Sequence, residues 1–138
     1  LLNIIDETAS AIRAAGFSRP LLLATRYTME HGFYAERMRR QGLDPMVPEA
    51  VDRSLVHDVI FDELCAGEVK DASRQAYLAI IDKAKRAGAD CVILGCTEIC
   101  LLLDPDSLAL PGFDSTTIHA RAAVDFALQH AALTRAAG

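Results

Sequence analysis

Two uniformly apolar runs, Leu21-Leu22-Leu23-Ala24 and Cys91-Val92-Ile93-Leu94, each stop at a small residue and are separated by long stretches with helical spacing. Four apolar residues without alternation suit a strand buried on both faces, which is the situation inside a parallel sheet. Parallel strands need long crossovers between them, and helices of ten or more residues supply these with a right-handed path. The expected class is therefore α/β, a parallel sheet flanked by helices.

The spacing fills in the rest. Ile4, Ile5, Thr8, Ala9, Ile12 and Ala15 predict a helix over 3–15, closed at Gly16. A second helix runs from Thr28 through Phe33, Tyr34, Arg37 and Met38 to the Gln41-Gly42 pair, and a short strand follows near Pro45 to Val47. Leu55, Val56, Val59, Ile60 and Leu64 mark one helix face with Ser54 as its N-cap, and Ala76, Tyr77, Ile80, Ile81 and Ala84 mark another that stops at Gly88. After a short helix within Ile99 to Leu103, a weak strand over Leu108 to Phe113 leads to a last helix. That helix is capped by Thr116 or Thr117 and has Ile118, Ala122, Ala123, Phe126 and Ala127 inside. The chain divides into a helix at 1–16, an α/β domain at 17–112 and a return segment with the C-terminal helix at 113–138, the two outer pieces lying beside the compact alternating block. Because it opens on Leu1 directly into helical periodicity, residues upstream are expected.

Composition narrows the function. With 138 residues, 51% of them hydrophobic, there is material for a buried core, and a net charge of −5 without a long basic block argues against nucleic acid or an anionic membrane as partner. Arg37, Arg39 and Arg40 read as a solvated helix face. No run approaches the ~18 apolar residues of a membrane span and no secretory leader is visible, so a cytoplasmic location is expected. Cys65, Cys91, Cys96 and Cys100 are then reduced thiols.

In open parallel sheets ligands bind beyond the carboxyl ends of the strands. Two places qualify. The first, Ala24-Thr25-Arg26-Tyr27-Thr28, offers backbone N–H groups and two hydroxyls to a carboxylate; the alternative is that Thr25 and Thr28 merely end the strand and cap the helix. The second, Gly95-Cys96-Thr97-Glu98, sets a thiol between strand and helix, where the thiolate is stabilised. A buried structural cysteine is the alternative there, and it suits Cys91 and Cys65 well, while Cys100 stays open. The spacing of Cys91, Cys96 and Cys100 lacks the paired ligands of a zinc site, so no metal is expected. His31, His57, His119 and His130 form no metalloprotease pattern, although His119 could approach the site. Phosphate-binding, dinucleotide and Gly-x-Ser-x-Gly motifs are absent from the sequence.

The string VILGCTEI at Val92 to Ile99 resembles the second cysteine motif of the aspartate/glutamate racemase superfamily. LLATRYTMEHGFYAERM from Leu22, VIFDELCAG from Val59, SRQAYLAII from Ser73 and FDSTTIHARAAVDFAL from Phe113 are similar, in order, to further stretches of its aspartate racemase-like branch. The resemblance covers essentially the whole chain. It implies two similar α/β domains facing across a cleft, one cysteine from each, no cofactor, an amino-acid substrate and a homodimer. Cys96 would be the acid–base cysteine of the second domain and Glu98 the residue that orients or tunes it. Thr97, Thr25 and Thr28 would meet the substrate, and Lys70 an acidic side-chain carboxylate. The first domain and its cysteine are not among these residues, so the chain is expected to have residues upstream, to pair with a partner, or to be inactive, with the first and last helices short of partners and an apolar patch exposed. A maleate isomerase, hydantoin racemase or arylmalonate decarboxylase, and a non-catalytic binding module, are the other readings.

Overall fold

The computed structural model describes residues 2–137. Helix α1 (Ile4–Ala14) starts where Asn3 Oδ1 accepts from the amides of Ile5 and Asp6, and it buries Ile5, Thr8, Ala9 and Ile12. Strand β1 (Pro20–Leu23) follows, with proline at its first position, where the missing N–H costs least. Helices α2 (Arg26–Glu30) and α3 (Phe33–Arg40) come next, then α4 (Ala50–Asp58), whose end continues as a π turn over Val59–Glu63 and a 3-10 turn over Leu64–Ala66. Helix α5 (Asp71–Arg86) leads back to β2 (Cys91–Leu94). The one-turn α6 (Ile99–Leu102), β3 (Gly112–Asp114) and α7 (Ser115–Ala137) complete the chain.

All three strands are parallel in the order β1-β2-β3, with Leu23 beside Leu94 and Leu94 beside Asp114. β1 and β2 are buried along their whole length, as unalternating apolar runs require. The predicted strand at Pro45 to Val47 shrinks to one bridge: Met46 donates to Pro20 O and its carbonyl accepts from Leu22 N, both at 2.8 Å. Below the sheet's amino end, the Asp90 carboxylate accepts from the amides of Ser18 and Arg19 at 2.9 Å each, tying the entry of β1 to that of β2. The strands' carboxyl ends are thereby held in line.

Several expectations change. The helix read from Thr28 to Met38 is two helices, because His31 adopts an extended backbone and Gly32 starts a new turn. Ser54 does not cap α4, which begins earlier, after Pro48 and Glu49, and places Ser54 inside. Asp114, not Thr116 or Thr117, caps α7, accepting from both of their amides, because the helix starts at Ser115 and places the two threonines inside its first turn. The first helix is not left bare. It packs on α3 and α7, and Arg37 clamps its Asp6 with two 2.8 Å hydrogen bonds. On α7 only the first turns are covered: Ile118 and Ala122 are partly buried, whereas Ala123, Phe126 and Ala127 are exposed together with Val124, Leu128 and Leu133. No described helix is long and apolar enough to cross a membrane.

Candidate active site

Register sets the site. Because Leu23 pairs with Leu94, the turns that leave β1 and β2 emerge side by side, and Gly95 N–H donates to Leu23 O at 2.8 Å. A Cβ on Gly95 would lie 3.2 Å from both Ala24 Cβ and Leu23 O, so only glycine lets the turns approach this closely. The Thr25–Thr28 turn and Cys96 therefore share one shelf at the carboxyl edge of the sheet.

Cys96 is partly buried and donates its S–H to Glu98 Oε2 at 2.7 Å, while Thr97 Oγ1 donates to the same oxygen at 2.9 Å. One carboxylate oxygen thus fixes thiol and hydroxyl together. The spacing suggested a lowered thiol pKa; the structure reverses this. Burial, and then the Glu98 carboxylate beside it, push the Cys96 thiol up to about 11. Helix α6 is too short to offset them, because its four residues provide little dipole. Glu98 itself is held below the usual carboxylate range by the Cys96 hydrogen bond. At neutral pH the pair is a protonated thiol resting on an ionised carboxylate.

The sign of this coupling is testable. Glu98→Gln removes the negative charge that disfavours the thiolate but leaves the burial, so the Cys96 pKa falls part of the way back. Alkylation of Cys96 by iodoacetamide at pH 8, followed on its own peptide by mass spectrometry, is expected to speed up about threefold to tenfold, up to one pKa unit. An unchanged or slower rate would mean that Glu98 does not hold the proton there.

On the neighbouring turn, Thr25 occupies the N-cap position of α2 yet makes no capping bond; its Oγ1 lies 3.4 Å from Thr28 Oγ1 instead. Simple capping therefore does not account for the two threonines, and both residues are partly buried. Lys70 is exposed, precedes α5 and pairs with Glu68 at 3.4 Å, so its recorded partner is none of the other candidates. Cys91 is buried, as expected of a structural thiol. Cys65 is exposed, against expectation, because the 3-10 turn that ends α4 directs it outward, and it adds a small unfavourable contribution to the Cys96 thiolate. Cys100 is partly buried, with its thiol raised to about 11 by burial and then by Asp114 at the end of β3. His119 is partly buried on α7.

Two residues that the sequence did not single out support the shelf. His57 on α4 accepts the Arg26 amide proton at 3.0 Å, and Tyr77, fully buried on α5, donates its hydroxyl to Val56 O at 2.7 Å. The Tyr77 hydroxyl lies close enough to Cys96 and Glu63 for their charges to add to the burial that raises its pKa. Neither contact has a local signature, since His57 and Arg26 are 31 positions apart.

The sequence profile of the Asp/Glu/Hydantoin racemase family matches residues 1–123. The chain belongs to this family. It is 30% identical over 111 residues, 80% of this chain and 73% of the relative, to an uncharacterised protein of the pnlA 3' region of Pectobacterium carotovorum subsp. carotovorum. Among solved structures it superposes on a candidate Asp/Glu racemase from Yersinia pestis with a TM-score of 0.88 and 44% identity, over 93% of this chain and 56% of that one. An aspartate racemase homologue from Pyrococcus horikoshii OT3 gives 0.85 at 32% identity, over 91% of this chain and 55% of that one. The aspartate racemase of Picrophilus torridus gives 0.63 at 28%, over 83% and 47%. The chain thus spans about half the length of these family structures. Their likeness bears out the expected fold class, a parallel sheet flanked by helices in the Asp/Glu racemase arrangement.

Proposed function

We propose that this chain carries one of the two acid–base thiols of a cofactor-independent amino-acid racemase, that Cys96 is that thiol, and that an acidic amino acid is the substrate. The observation that carries the reading is the protonated Cys96 held by Glu98 on the same sheet edge as two threonine hydroxyls that face each other and cap no helix amide, in a chain of this family. Racemisation needs a proton removed from one face of Cα and another delivered to the opposite face, so a thiolate and a thiol must flank the substrate. With its proton held in place, Cys96 starts as the acid. The Thr97 backbone N–H and the free proton of the Thr25–Thr28 hydroxyl pair offer donors to the substrate carboxylate, where preorganised dipoles also stabilise the carbanionic charge. Lys70 can exchange Glu68 for the side-chain carboxylate.

The second thiol comes, in this reading, from a facing domain outside these 138 residues. Cys91 is buried in β2, Cys65 lies in the turn after α4, and Cys100 lies one turn along from Cys96. In this reading none of them serves as the thiol on the opposite face of Cα. A second substrate class, hydantoins, is favoured by one observation: the charged groups touching the Cys96 and Cys100 thiols are the carboxylates of Glu98 and Asp114, which a neutral ring tolerates better than another carboxylate.

Chiral chromatography of aspartate, glutamate and hydantoin incubations with the full-length protein separates the two, with maleate included as a probe of isomerase activity. Inversion of aspartate or glutamate is expected. Turnover of the hydantoin or of maleate alone would replace the acidic amino acid as substrate.

A further inference from the structure

We propose that His57 is a positioning residue for the carboxylate shelf, holding the Thr25–Thr28 turn from outside so that the threonine hydroxyl pair keeps its place toward the substrate. This rests on the reading of that turn as the substrate-binding shelf. An N-cap threonine ordinarily turns its hydroxyl back onto the amides of the helix it starts, which satisfies them but consumes the hydroxyl. Here Thr25 does not do so, and its Oγ1 faces Thr28 Oγ1. The first amide of α2, that of Arg26, is bonded to His57 Nδ1 at 3.0 Å, a group brought in from α4. A backbone N–H can only donate, so Nδ1 is the acceptor in this contact.

The same junction fixes the ring. Phe61 packs its own ring 4.7 Å from the imidazole, and the Arg26 side chain lies along α4, with Nη2 3.4 Å from Ser54 Oγ and 4.0 Å from Asp58 Oδ1. Arg26 also reaches Glu30 at 4.0 Å within α2, so its guanidinium is held within the α2–α4 junction. His57 therefore satisfies a first-turn amide that the Thr25 hydroxyl does not serve and ties the start of α2 to α4. Its loss would leave that amide to solvent and let the Thr25–Thr28 turn shift on the shelf. Because the effect is on binding geometry and the thiol is untouched, it belongs in KM.

Two variants of the full-length protein test this. Asparagine can present an acceptor oxygen close to the position of Nδ1, whereas leucine keeps the bulk and removes the acceptor. His57→Leu is expected to raise KM about tenfold, the size of a lost cap, with kcat within about twofold, and His57→Asn to recover most of the affinity. In 15N–1H spectra the Arg26 amide should move in the leucine variant and stay near its original position in the asparagine variant. Equal KM for wild type and His57→Leu, a leucine effect that falls on kcat, or an asparagine variant no better than leucine would overturn the proposal. If the wild type turns over none of the substrates, the functional reading fails. The Arg26 amide then still decides the role of His57: a shift confined to leucine supports it and no shift refutes it.

Discussion

Replacing Cys96 by serine is expected to lower kcat for racemisation by a factor on the order of 10² to 10⁴, the usual contribution of a positioned acid–base group, or about 3–5 kcal/mol of barrier. Serine is the informative replacement because it fills nearly the same space and can still donate to Glu98 Oε2. The geometry of the shelf should survive while the proton becomes far harder to remove and return. The thermal midpoint should therefore stay within a few degrees of wild type, and substrate KM should change little. A stable Cys96→Ser protein with more than a tenth of wild-type kcat would take Cys96 out of the chemistry.

The second large effect is on stability. Ile93 is fully buried in the middle of β2, the central strand, paired with Leu22 on one side and Phe113 on the other. Ile93→Ala removes three carbons from a site that the two neighbouring backbones prevent from collapsing, so the transfer cost and the cavity cost add. A loss of about 2–5 kcal/mol is expected, read as a lower urea midpoint at unchanged slope. Since β2 also carries Cys96 at its end, the variant should lose activity on mild warming before the wild type does. A loss below about 1 kcal/mol would mean that β2 is not the centre of the core.

What the sequence makes legible here is what local pattern determines. The unalternating apolar runs at Leu21 and Cys91 could be satisfied only by strands covered on both faces, and from that placement alone Cys96 and Thr25 fall at strand ends; that the two ends are neighbours comes from the pairing of β1 with β2. The charge state of Cys96 was not legible in the same way. Spacing suggested a helix after the thiol and hence a stabilised thiolate, but the helix is one turn long and a carboxylate two residues on stabilises the protonated form. Position along the chain cannot weigh these opposing effects; distance can. The outward direction of Cys65 depends on the π and 3-10 turns that end α4, where a helical wheel continues an ordinary helix. The bond from His57 to the Arg26 amide joins two elements by a tertiary crossing and leaves no trace in either. Likewise the outer half of α7 carries Ala123, Phe126 and Ala127, whose spacing reads as an inner face although all three are exposed.

The most direct test of the two-thiol reading follows Cα deuterium by NMR in D₂O during the first few per cent of turnover of a single aspartate or glutamate enantiomer by the full-length protein. Two groups on opposite faces predict that the product enantiomer carries deuterium while recovered substrate remains almost wholly protiated, with the deuterated product lost in Cys96→Ser. Deuterium appearing in substrate and product at equal rates would show one base serving both faces and contradict the account.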